Sequence, residues 1–192
     1  GQRYLRETNT VETRWGNLTL TDYLDCSGTR PTQRAGRTDL VRVIGGTGKV
    51  RLEFAPRLDF GRVATQIAVR DEGLVVEGLP DPIVLLAPGV TWEIKKQGVH
   101  DTAIGEIEAF GKPIVIELRL GTGDLTESRL PETDRRQQTG KFWSKWLAGL
   151  HIPDVMPEHV RRSALALRGL VHGPTGGVLA AATTSLPEDP GG

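Results

Sequence analysis

The residues of this chain best suited to chemistry are its carboxylates. Two of them, about 6.5–9.5 Å apart, can act as general acid and general base across a glycosidic bond with a water between. The candidates in strand-like segments or beside turns are Glu53, Asp59, Glu106, Glu108 and Glu117. They alternate with apolar residues or adjoin turns, the pattern of a solvated sheet face, and nothing in the spacing pairs any two of them. Other chemistries fail sooner. The four histidines, His100, His151, His159 and His172, form no HExxH or other metal-ligand spacing. The one cysteine, Cys26, allows neither an intrachain disulfide nor a cysteine-based zinc site. There is no G-x-S-x-G nucleophile elbow. Gly45-Gly46-Thr47-Gly48-Lys49 has the look of a phosphate loop, but Val43 stands where the first glycine belongs and Val50 where Ser or Thr belongs. Two strand-like segments flank it, so a hairpin turn is expected.

The elements around these residues read as strands over the first 120 positions. Val11, Thr13 and Trp15 alternate with polar residues, and after Gly16-Asn17 the residues Leu18, Leu20 and Leu24 share one face, with Thr19, Thr21 and Tyr23 on the other. Cys26 to Thr38 reads as a long polar loop. Strands are expected at 40–44, 50–54, 66–69, 74–77, 83–86, 90–95, 105–110 and 113–120, most of them separated by Gly, Pro or Asp turn signals. This spacing indicates a mainly β fold, an antiparallel sandwich rather than βαβ units. From Gly121 to Thr139 the composition is that of a linker. Phe142, Trp143, Trp146, Leu147 and Leu150 then recur at helical spacing, which predicts an amphipathic helix over 140–150, its aromatics packing at an interface. A second helix is expected from Pro157, ending at Gly173-Pro174. Its later turns, with Leu165, Ala166, Leu167 and Leu170, are apolar nearly all round, which calls for burial in a larger helical body.

Bulk composition narrows the classes. Lys+Arg and Asp+Glu are both 24, so no basic excess indicates a nucleic acid. No apolar run is long enough for a membrane span. A single cysteine fits a reducing compartment. The first residue is glycine and the last four are Asp189-Pro190-Gly191-Gly192, from which both ends are expected to be cut. A cut sheet edge and an orphaned apolar helix lead to the further expectation that the chain self-associates.

Three stretches, taken together, resemble the bacterial branch of glycoside hydrolase family 15, the glucoamylase and trehalase-like enzymes. Residues 4–15, YLRETNTVETRW, with Leu20-Thr21-Asp22-Tyr23, are similar to one family segment. Leu40–Ile44 followed by residues 54–62, FAPRLDFGR, is similar to a second, with Phe60 where tyrosine is usual. The third runs from Phe142-Trp143-Ser144-Lys145-Trp146-Leu147 through residues 161–167, RRSALAL, to Pro174–Val178 and Ala180–Glu188.

The resemblance implies a β-sandwich domain over 1–122 lacking its first strands, a linker over 123–139, and over 140–192 two helices that begin an (α/α)₆ catalytic barrel. It implies the non-catalytic N-terminal portion of an inverting α-glucoside hydrolase, trehalase or glucoamylase-like, that serves carbohydrate metabolism as scaffold for that barrel. The implied partners are the barrel of the same parent chain and an α-glucoside, trehalose or a malto-oligosaccharide, bound by the parent, with no nucleic acid and no membrane. No catalytic residue is carried onto this chain, which alone is expected to be inactive. Thr184, Ser185, Pro187 and Glu188 form the expected substrate-proximal loop. No metal or cofactor is expected, and the expected location is cytoplasmic. The alternative is a free-standing carbohydrate-binding or protein-interaction module.

Overall fold

A computed structural model describes residues 1–27, 37–172 and 175–180. The expected Gly173-Pro174 stop, most of the 26–38 loop and Thr184, Ser185, Pro187 and Glu188 lie outside the described residues. The chain is mainly antiparallel β, as its spacing predicts. The strands are β1 (Gln2–Tyr4), β2 (Val11–Trp15), β3 (Leu18–Leu24), β4 (Thr38–Phe54), β5 (Gln66–Arg70), β6 (Gly73–Glu77), β7 (Ile83–Leu86), β8 (Thr91–Gln97), β9 (His100–Phe110) and β10 (Ile114–Leu120). A one-turn segment, α1 (Leu58–Gly61), follows β4, and two helices, α2 (Glu132–Ala148) and α3 (Pro157–Gly169), follow the strands.

The first sheet has the order β1-β2-β3-β4-β10-β7-β6-β5, and the second consists of the end of β4 with β9 and β8. β4 belongs to both. Its residues 40–46 pair with β3 and its residues 47–54 with β9. This corrects the expected hairpin at Gly45–Gly48, because the strand bends there and continues into the second sheet. Gly46 has φ +97°, and a Cβ on it would lie 1.9 Å from the Asn17 carbonyl oxygen. Only glycine fits so close a backbone approach.

The core lies between the sheets. Ile44, Ile67, Leu74, Leu85, Ala103 and Ile116 form it, with Val50, Leu52 and Phe54 packed against them from the second sheet. Burying each large aliphatic side chain contributes about 1.5–3 kcal/mol. The opposite face of the first sheet is covered as well. Tyr23, Val41 and Val43 form a separate cluster there, and the Tyr23 hydroxyl donates to Glu132 Oε1 of α2 at 3.2 Å. α2 therefore lies over the outer face of the sheet, with Trp143 and Leu147 buried beside Cys26 and Leu165 of α3.

α2 starts eight residues before the expected helix and takes in residues 132–139 of the expected linker. Pro131 caps it, and Glu132 and Asp134 in its first turn favour the positive end of the helix dipole. α3 begins at Pro157 as expected but ends at Gly169, four residues before the expected stop, and among its residues only Leu165 is buried.

Candidate functional site

The candidate carboxylates fall on two sides of the molecule. Glu53, Glu106 and Glu108 sit on the outer face of the second sheet, where Arg51 faces Glu106 and Lys49 faces Glu108 across the strands. Glu117 corrects the expectation of a solvated face. It is 3% exposed, on the outer face of the first sheet, beside Arg119 (1%) and Arg135 of α2 (4%). Arg119 donates to Glu117 Oε2 from Nε at 3.0 Å and from Nη2 at 2.8 Å. Arg135 donates to Glu117 Oε1 and reaches Asp25 at 3.4 Å. Arg119 also donates to the carbonyls of Asp124 and Thr126, fastening the segment between β10 and α2. Burial works against the Arg135 charge, yet the bond to Glu117 holds its guanidinium above the ordinary arginine range. Both carboxylate oxygens of Glu117 are engaged by arginines, so the group is committed to holding α2 against the sheet.

A cleft of about 920 Å³ opens between this face, α2 and the end of α3, with Asp25, Arg37, Arg119, Arg135, Trp143 and Arg168 among its walls. Cys26 also lines it. Burial, then the Asp25 charge, pushes its thiol up to about 12, which removes it as a nucleophile at neutral pH. Among the described residues no group of three His, Cys, Asp or Glu side chains could hold a metal ion.

α3 is tied to the turn between β1 and β2. Asn9 Nδ2 donates to the Leu165 carbonyl at 2.9 Å, and Arg162 donates to the Thr8 carbonyl at 2.6 Å and to Asn9 Oδ1. The Arg162 guanidinium also lies 3.9 Å from the centre of the Tyr4 ring.

The third feature is α1. Asp59 (φ +49°) and Phe60 (φ +56°) are consecutive non-glycine residues in the left-handed region, followed by Gly61 at φ +81°. Each such non-glycine residue costs about 1–2 kcal/mol. The turn is held from both ends. Arg57 donates to the Pro56 and Asp101 carbonyls, to Gln97 Oε1 at 2.6 Å and to Thr102 Oγ1 at 2.8 Å. Arg62 donates to the Asp59 carbonyl at 3.1 Å and to its Oδ1 at 2.7 Å. Periodicity gave no sign of this strain, and Asp59 read only as a carboxylate beside a turn. An aspartate at 59 with Gly61 two positions on was the available signal.

By architecture this is a two-sheet β domain with a helical extension clamped to its outer face. The chain belongs to the trehalase-like N-terminal family, whose model matches residues 1–143. The match ends inside α2. The chain is 26% identical to the trehalase of Mycobacterium tuberculosis over an alignment of 216 residues that covers 100% of this chain and 32% of that protein. It is 45% identical to the Mycolicibacterium smegmatis trehalase over 60 residues, 31% of this chain and 9% of that protein. The trehalase of Thermoplasma acidophilum is 45% identical over 58 residues, 30% of this chain and 10% of that protein. The chain thus spans about a third, or less, of the curated relatives it matches.

Proposed function

We propose that this chain is the N-terminal scaffold of an inverting α-glucoside hydrolase of glycoside hydrolase family 15, with trehalose or a malto-oligosaccharide as substrate. The carboxylic acid that protonates the leaving oxygen and the carboxylate that activates water belong to a helical catalytic domain of the same polypeptide. The cytoplasm is the proposed location.

The observation that carries this reading is the uncovered apolar surface of the helical part. Leu167 of α3 is 59% exposed, and Val155 and Met156 before the helix and Val178 and Leu179 after it are exposed as well. A helix with so apolar a surface is at home against further helices. The clamps at Glu117 and Asn9 fix α2 and α3 on the sandwich, so a catalytic domain built onto them would inherit one orientation.

The test compares this chain with a longer polypeptide that includes the following region. Hydrolysis of trehalose or maltose is expected only in the longer one, with trehalose releasing β- and α-glucose in equal initial amounts by proton NMR, the β-anomer from the unit attacked by water and the α-anomer from the leaving unit. Turnover by the 192-residue chain itself, or release of α-glucose alone in the initial phase of trehalose cleavage, overturns the proposal.

A further inference from the structure

The strained turn after β4 has no part in the scaffold reading, and its side chains carry a specific chemistry. Phe60 is held at the tip and is 51% exposed, although aromatic residues are ordinarily buried. The Arg62 guanidinium lies 5.9 Å from the ring centre. Asp59 and Arg62 stand side by side, an acceptor and a donor 2.7 Å apart, with the Asp59 side chain 50% and the Arg62 side chain 68% exposed. On the other side, His100 Nε2 comes within 3.9 Å of where a Cβ on Gly61 would lie.

We propose that the Asp59–Arg62 turn is a saccharide-binding site of the β domain. Phe60 supplies the apolar platform for one face of a neutral pyranose, and the Asp59–Arg62 pair takes two adjacent hydroxyls. The charges of the pair cancel, so the site selects neither an anion nor a cation. A vicinal diol can donate from one hydroxyl to the carboxylate and accept at the other from the guanidinium. A pyranose also presents C–H groups to an aromatic face. The strain fits this role, because an exposed ring held rigidly loses little freedom on binding. Glycine at position 59 or 60 would relieve the backbone, yet the chain carries Asp and Phe there.

Only the choice of glucose disaccharides as probes rests on the proposed function. The experiment is an NMR titration of the 192-residue chain with trehalose and with maltose, with sorbitol as an acyclic control. Saturable amide shifts at residues 59–62 and at His100 are expected with a disaccharide and not with sorbitol. Phe60→Ala should weaken binding at least tenfold, and Phe60→Tyr should retain it. Phe60→Gly should lose binding while its Tm rises, which separates loss of the site from loss of the fold. No saturable shift at the turn, equal shifts with sorbitol, undiminished binding by Phe60→Ala, or shifts centred on the α2–α3 cleft each overturn the proposal. None of these outcomes bears on hydrolysis by the longer polypeptide, so the two readings fail separately.

Discussion

Glu117→Gln tests the claim that a buried charge network fastens α2 to the sandwich. The wild-type carboxylate accepts three bonds, two from Arg119 and one from Arg135. Charge-assisted bonds contribute about 1.5–3 kcal/mol each, but the glutamate must also be desolvated. Glutamine keeps the volume and one acceptor, so no cavity forms and the loss is electrostatic. Arg119 then keeps the Asp124 and Thr126 carbonyls but no carboxylate, and Arg135 keeps only Asp25, which gives an expected destabilisation of about 3–5 kcal/mol. Against a domain stability on the order of 5–15 kcal/mol, this is readily measured. Urea unfolding followed by circular dichroism and by tryptophan fluorescence is the assay, because Trp143 lies buried on α2. Hydrogen exchange should show the α2 amides opening before those of β5–β7. Replacing Glu117, Arg119 and Arg135 together by apolar residues of similar volume should recover much of the loss. A Glu117→Gln variant within about 1 kcal/mol of wild type, or unchanged exchange in α2, would refute the clamp.

Two further substitutions probe the sheets. Gly46→Ala should cost at least about 3 kcal/mol, since its Cβ meets the Asn17 carbonyl. Gly45→Ala, whose nearest neighbour lies at 3.9 Å, is the tolerated control, and equal melting temperatures for the two would contradict the bend. Asp101 is held below the ordinary carboxylate range, first by its bond to Lys96 at 2.7 Å and then, against the cost of burial, by the Ile67 amide. A pKa depressed in the fold gives stability that is present above the unfolded value, about 3.9, and is lost as pH falls through the folded value. Asp101→Asn should therefore lower stability at neutral pH by about 1–2 kcal/mol, with the gap to wild type closing below about pH 4. A gap that persists unchanged down to about pH 3 counts against the assignment.

The sheet was legible because its signal is local. Alternation in residues 11–24 and 50–54 names strands and faces without reference to the rest of the chain. Three readings failed where a distant element decided the outcome. The glycines at 45, 46 and 48 look the same in a hairpin turn as in a bend between two sheets, and the pairing of β4 with both β3 and β9 is what separates the two. The start of α2 was marked by Pro131, Glu132 and Asp134, but a polar first half hid the helix because its buried residues there are Arg135 and Thr139. Binary patterning counts such residues as solvent-facing.

Glu117 is the same failure seen from the sheet. Leu40-Val41-Arg42-Val43-Ile44 and Ile114-Val115-Ile116 are apolar on both faces, which is the mark of strands covered on both sides. Extended along β10, that rule places Glu117 and Arg119 under a second layer, where two charges of opposite sign two residues apart must share a site. The sequence thus held a cue to a buried ion pair, in the two-sided apolarity of its neighbours rather than in the charges themselves. What it lacked was the third member, Arg135, eighteen positions from Glu117 and on a different kind of element. Only the docking of α2 brings it there, so the network and the helix position are one fact, and removing Glu117 should disturb both together.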